Sequence, residues 1–191
     1  MRLSLIREAA RIMAEEGVAD YFFAKRKAAE RLGAPDTRNL PGNREIQDAL
    51  VEYQQVFGDA EREASLLALR RQAVEAMEFF SRFRPRLVGS VLAGTADAGS
   101  DVQLHLFADT PEAVALFLME RGIPYESGER RLRFGRDVWV TRPLFRFIAG
   151  ETVVELVVFD EIGLREAPRS EVHGRPMERA SLAAVRELIG A

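Results

Sequence analysis

The spacing of the apolar residues changes at Pro85, and this change constrains the fold more than any other feature of the chain. Before Pro85, apolar residues recur every three or four positions, which is the period of an amphipathic helix. After it, polar and apolar side chains alternate along residues 101–107, as they do in a β-strand with one buried face. The sequence therefore predicts an α+β fold, with a helical region over residues 1–84 and a mixed β-sheet flanked by helices over residues 85–191.

Turn-forming residues divide these regions into individual elements. Asp20, Asn43 and Asp59 are expected to begin the second, third and fourth N-terminal helices, because a short polar side chain caps the free N–H groups of a helix start. For residues 87–93 two interpretations are open: a buried strand, or a strand end followed by a turn of helix. The other predicted elements are a helix over residues 110–122, a last helix over residues 178–189, and strands over residues 101–107, 131–134, 137–141, 145–148 and 152–159.

The composition restricts the chemistry. The 191 residues include no cysteine, which excludes disulfides and thiolate metal sites, and only two histidines, which argues against zinc. A bound metal would be Mg²⁺ or Mn²⁺, held by oxygen atoms. The net charge of −3 indicates no general attraction to DNA. No apolar run approaches the roughly 20 residues that cross a membrane, and charges follow the N-terminus too soon for a secretory signal, so a cytoplasmic location is expected.

A short motif in the sheet region joins a glycine-serine turn to an acidic strand. Gly89 and Ser90 are followed, about ten residues later, by Asp101 and Gln103. This spacing resembles the signature of the nucleotidyltransferase superfamily, in which a Gly-Ser pair opens a helix and the next strand carries Asp-x-Asp or Asp-x-Glu. The resemblance covers roughly residues 85–160 and implies a nucleotidyltransferase-like fold for residues 85–191. The alternative is an ordinary turn at Gly89–Ser90 and an exposed strand-start residue at Asp101.

The resemblance implies a metal site made of three residues. Asp101 would be the first metal ligand, Gln103 takes the second ligand position, and Glu155 in a later apolar strand would be the third ligand. Asp101 and Glu155 would then be the catalytic carboxylates, which clamp Mg²⁺ or Mn²⁺ against a triphosphate. The amide of Gln103 keeps the shape of a carboxylate and lacks its charge, so the motif is a degenerate Asp-x-Gln.

The resemblance also implies phosphate-binding residues. Gly89 and Ser90 would present backbone N–H groups and a hydroxyl to the phosphates, and glycine lets the backbone approach closely. Arg133 and Arg142 belong to a group of arginines that could reach a triphosphate. The alternative for these arginines is a solvated surface.

Two classes of function follow from these residues. The first is an enzyme that transfers a nucleoside monophosphate from an NTP to a small molecule, a protein or an RNA end. The second is a catalytically inactive regulatory or protein-interaction module on the same fold, whose helical region binds a protein partner or a second copy of the chain. Gln103 separates the two, since replacing it with aspartate would change a working enzyme modestly and could restore metal binding to a degenerate site.

Two further segments contain residues that could bind a metal ion or an anion. His105 follows Gln103 on the same strand face, either as a replacement ligand or as a half-buried histidine with one hydrogen bond. Pro176 is expected to begin the last helix, with Arg175 and Arg179 on either side of its start. That helix start could hold an anion, or the helix could simply pack on the sheet.

Overall fold

The computed structural model describes residues 2–34, 39–57 and 60–190. Contacts divide the chain into two compact units, residues 1–63 with 171–173, and residues 64–170 with 174–191. The α+β class with a helical N-terminal half is confirmed. The sequence predicted a boundary between residues 84 and 85, whereas the contacts group residues 64–84 with the sheet.

The first unit consists of α1 (Arg2–Glu16), α2 (Tyr21–Arg31) and α3 (Asn43–Phe57). Alanines and aliphatic residues spaced three or four apart form its core, among them Leu5, Ala9, Ile12, Ala28 and Ile46. Burying these apolar side chains is the main source of stability for helices of this length.

The ends of these helices test the predicted caps. Asp20 caps α2 as predicted, since its Oδ1 accepts a hydrogen bond of 2.7 Å from the backbone N–H of Phe23. The predicted cap at Asn43 is wrong. Asn43 is the first residue of α3, and its side chain binds Lys25 and the carbonyl oxygen of Glu171 instead. The predicted helix start at Asp59 lies outside the described residues.

The second unit is a five-stranded mixed sheet with helices. The strands stand in the order β1-β2-β5-β4-β3, and only the pairing of β2 with β5 is parallel. The helices are α4 (Ala60–Phe79), α5 (Gly89–Ala93), α6 (Pro111–Glu120) and α7 (Leu182–Leu188). The strands are β1 (Arg86–Val88), β2 (Val102–Phe107), β3 (Glu126–Arg133), β4 (Trp139–Ala149) and β5 (Thr152–Phe159).

The two faces of the sheet differ. One face carries the main core, in which Leu104 and Leu156 of the sheet pack with residues of α4 and α6 such as Met77 and Phe117. Because successive strand residues point to opposite faces, Gln103, His105 and Glu155 lie on the other one. We call that second face the site face.

Two predictions about strands and helices are wrong in the second unit. The predicted strands 137–141 and 145–148 are one strand, β4. Its pairing with β5 begins only at Leu144, so Pro143, which has no N–H group to donate, pairs with β3 alone. The last helix begins after its cap Ser181, and not near residue 178. Ala180 instead exchanges two 2.9 Å backbone hydrogen bonds with Leu87, which supplies pairing to the sheet edge at β1.

Candidate functional site

One row of paired residues crosses the sheet and brings most of the predicted site together. Val88 pairs with Gln103, Gln103 with Glu155, and Glu155 with Arg146. Residues that pair directly across neighbouring strands share a face. The fold therefore places Gln103 and Glu155 side by side on the site face, as the motif predicts, and adds an arginine beside them.

Gly89 begins α5 directly after β1, so the second interpretation of residues 87–93 is correct. Its φ of +76° lies in the left-handed region, which side chains other than glycine rarely adopt. A Cβ at this position would lie 2.3 Å from Oε1 of Gln103. The Gln103 amide thus lies directly against the turn, and a side chain at position 89 would have to displace it. Ser90 follows in the first turn of α5 and is partly buried.

Glu155 is the most buried acid of the site, with 2% of its surface exposed. Its Oε2 accepts a 2.6 Å hydrogen bond from Arg130, and its Oε1 accepts one from Arg146. Nε2 of Gln103 lies 3.4 Å from the same Oε2. Both carboxylate oxygens therefore have positively charged donors, which offset the cost of burying the charge.

Asp101 stands at the border of this network. Its Oδ2 lies 3.8 Å from Nη2 of Arg146, and about a third of its side chain is exposed. Burial raises the pKa of Asp101, and the neighbouring charge of Glu155 raises it further, while Arg146 and Arg130 act in the opposite direction. The two carboxylates are thus balanced by two guanidinium groups.

The residues present do not fit the Mg²⁺ or Mn²⁺ site that the resemblance implies. Among the described residues, no group of three or more His, Cys, Asp or Glu side chains is placed to hold a metal ion. The second ligand position is the uncharged Gln103, and both oxygens of Glu155 are engaged by arginines.

The predicted phosphate-binding arginines lie outside the Glu155 network. Arg142 is 3.9 Å from the Asp160 carboxylate, and its guanidinium carbon is 5.6 Å from the centre of the Phe159 ring. Arg133 ends β3, and its carbonyl oxygen accepts a 2.6 Å hydrogen bond from the backbone of Arg169.

Arg130 and Arg146 hold Glu155 instead, a role that the sequence reasoning missed. The position of Arg146 could have been found by counting residues across the hairpin that joins β4 and β5. In a hairpin about residues 149 and 150, pairing Ala149 with Thr152 places Arg146 opposite Glu155.

His105 is a structural residue of the site face. It is 2% exposed, its Nδ1 accepts a 3.0 Å hydrogen bond from Nε of Arg179, and its ring centre is 4.6 Å from that of Phe159. Burial, followed by the charges of Arg179 and Arg130, lowers the pKa of His105 to about 3. The histidine is therefore neutral near pH 7. This geometry favours the interpretation with one hydrogen bond, although the side chain is fully rather than half buried.

Of the two interpretations of the last helix, the anion site at Pro176 does not fit the structure. Pro176 lies five residues before the helix cap, and the segment between them is not helical. Arg179 has a different environment: its Nη1 donates a 2.5 Å hydrogen bond to the carbonyl oxygen of Gly163, and burial lowers its pKa to about 10.

Comparison of the chain with protein-family models found no match, and comparison with curated protein sequences found none either. Across residues 2–34, 39–57 and 60–190, no helix combines the length and the apolar character needed to cross a membrane. The nucleotidyltransferase resemblance therefore depends on the residues of the site alone.

Proposed function

We propose that this chain is a catalytically inactive regulatory or protein-interaction module on a nucleotidyltransferase-like fold. One observation carries the proposal: both oxygens of the Glu155 carboxylate are bonded to arginines, where an active enzyme needs oxygens free for Mg²⁺ or Mn²⁺. Gln103 supports it, because the amide that replaces the second carboxylate also points its N–H group at Glu155.

Without carboxylates that are free to bind metal ions, the transition state of nucleotidyl transfer loses its main source of stabilisation. The charge that develops on the attacking and leaving oxygens is normally balanced by the metal ions. Arg130 and Arg146 have 38% and 45% of their side chains exposed, and each guanidinium has five N–H donors. They retain donors for the phosphates of a nucleotide, and such binding would need no metal.

The partners of such a module stay predictions. The helical first unit is the proposed surface for a protein partner or a second copy, and the cytoplasm is the proposed location. In this view the site face would bind a nucleotide as a signal, or would have lost ligand binding and kept only its fold.

A thermal-shift screen tests the proposal. The four NTPs are added with and without Mg²⁺ or Mn²⁺ to the wild type, to Asp101→Ala and to Asp109→Ala, a control that removes an exposed acid outside the site. A ligand at about 100 times its dissociation constant stabilises a protein by about 2.7 kcal/mol, which such a screen detects. We expect no shift that requires a metal, and no release of pyrophosphate.

The opposite result is equally clear. A metal-dependent shift with one NTP, lost in Asp101→Ala and kept in Asp109→Ala, together with pyrophosphate release, would show an active nucleotidyltransferase and refute the proposal. A shift that occurs equally without metal would support nucleotide binding through the arginines.

A further inference from the structure

An open cavity of about 410 Å³ lies within the second unit, on the face of the sheet opposite the site face. It is bounded by the C-terminal part of α4, by Ile123 after α6, and by the β4–β5 hairpin at Ala149 and Gly150. Its volume lies in the lower part of the range for small-molecule sites. None of the residues that line it belongs to the Glu155 network.

Aromatic rings form the wall of this cavity. Phe80 and Phe147 line it from the core, with ring centres 5.8 Å apart, and Phe79 stands edge-on to Phe80 at 5.0 Å. Phe79 is 40% exposed although it belongs to this cluster. Rings fixed in this way present a rigid apolar surface to a flat or aliphatic ligand body.

The polar side chains of the cavity offer acceptors. Gln72 lines it, and the Oε1 of Gln72 is shielded from water without a hydrogen-bond partner among the described residues. Glu75, one turn along α4, also lines it; Glu75 is exposed at the mouth of the cavity, and its carboxylate forms no ion pair within the described part of the chain. None of the described lining residues carries a positive charge, and the nearest described cation to the Phe79 ring is Arg121, whose guanidinium carbon lies 5.6 Å from the ring centre. An acceptor without a donor, beside an unpaired carboxylate, suits a positively charged donor.

We propose that this cavity binds a small organic amine, with the apolar body against Phe79, Phe80 and Phe147 and the ammonium group at Glu75, toward which the Gln72 side chain turns its shielded Oε1 on binding. The proposal is independent of the function proposed for the site face, because it uses other residues on the opposite face of the sheet. It would give the module a small-molecule signal.

Calorimetric titration with three probes of one shape tests the assignment. Phenethylamine, 2-phenylethanol and 3-phenylpropionate share a phenyl body and carry a positive, a neutral and a negative head group at pH 7. We expect the amine to bind about tenfold more tightly than the alcohol, because its hydrogen bonds are charge-assisted, and the carboxylate to bind least.

Three variants separate the cavity from other sites. Glu75→Gln keeps the shape and removes the charge, so it should weaken amine binding about tenfold and leave the alcohol unchanged. Glu112→Gln, which removes an exposed acid at the start of α6, is the matched control and should bind as the wild type does. Ala149→Phe should fill the cavity and abolish binding of all three probes.

Several results would overturn the proposal. Equal affinity of the three probes would do so, as would an amine affinity that Glu75→Gln leaves unchanged. Binding retained by a folded Ala149→Phe variant would place the probe elsewhere. If no probe binds, and the wild type self-associates while Ala149→Phe is monomeric, the cavity is a subunit interface. Because Glu75→Gln alters no packing, the probe series decides even if Ala149→Phe does not fold.

Discussion

Replacing Gly89 with alanine tests whether the glycine-serine turn is built around Gln103. The new methyl group would meet two penalties: the positive φ of +76° and an approach of 2.3 Å to Oε1 of Gln103. Gly122 provides the matched control, since its φ is +65° and nothing lies within 4 Å of a Cβ there. The difference between the two variants isolates the contact with Gln103.

The magnitude follows from these two terms. The left-handed conformation alone costs an alanine roughly 1 kcal/mol, which is the whole expected loss for Gly122→Ala. Gly89→Ala must also displace the Gln103 amide and break its 3.4 Å hydrogen bond to the charged Glu155. A hydrogen bond to a charged group contributes about 1.5–3 kcal/mol, and the length of this one places it at the low end, so we expect a total of about 2.5 kcal/mol. For a chain of this length, that lowers Tm by about 5–10 °C, against about 2–4 °C for the control.

Urea and thermal unfolding monitored by tryptophan fluorescence measure these losses. Trp139, the single tryptophan of the chain, lies at the start of β4 in the second unit and reports on that unit. In a Gln103→Ser background the contact is absent, so Gly89→Ala should then cost no more than Gly122→Ala. If Gly89→Ala costs the same with Gln103 or Ser at position 103, the close contact is not what requires glycine, and the reasoning is refuted.

Two predictions concern the titratable groups of the site face. The pKa of His105 falls from 6.5 to about 3 on folding. Between these two pH values, the histidine of the unfolded chain is protonated and that of the folded chain is neutral. The free energy of unfolding should therefore fall by roughly 1.5–2 kcal/mol between pH 6.5 and pH 5 through this residue, and His105→Asn should lack this part in urea titrations at the two pH values. Burial and Glu155 raise the pKa of Asp101 in the folded chain. At a pH above the usual pKa of aspartate, the charged Asp101 therefore lowers the free energy of unfolding. Asp101→Asn should unfold at pH 7 with an unchanged or slightly higher free energy, and a loss above about 0.5 kcal/mol would contradict this.

The features that the sequence predicted well are local ones. The helical period and the cap at Asp20 depend on residues within a few positions of one another. The helix start at Gly89 was one of two interpretations that the sequence left open. The α+β class follows from the same local periods, because a helix and a strand bury different sets of positions. The pairing of Gln103 with Glu155 was also implied, but only through the family resemblance.

The features that the sequence did not reveal depend on pairing between distant segments. Arg130 contacts Glu155 from β3, 25 positions earlier in the chain, and no local pattern marks it among its neighbouring arginines. Likewise, the late start of α7 follows from the bonds between Ala180 and Leu87, which supply partners to an edge strand. Local propensity favoured a longer helix, and the need for backbone partners outweighed it.

The arginines change what is expected of Gln103→Asp. On the sequence alone, that substitution could restore a metal site. In the structure, the new carboxylate would lie in the same row as Arg146, so that three acids would face Arg130 and Arg146 and the local charge would be only −1. The acids would bind the guanidinium groups in preference to a cation, since these are already in place and need no dehydration.

We therefore expect Gln103→Asp alone to gain no Mn²⁺ affinity, measured by electron paramagnetic resonance of the free ion. The triple variant Gln103→Asp, Arg130→Ser, Arg146→Ser leaves three carboxylates unpaired, so its Tm should be low without metal and rise with added Mn²⁺. Arg130→Ser with Arg146→Ser, keeping Gln103, is the control for the third carboxylate. If Gln103→Asp alone binds Mn²⁺ as tightly as the triple variant does, the arginines do not exclude the metal. The inactivity proposed for this site would then depend on the single amide of Gln103, which one substitution can reverse.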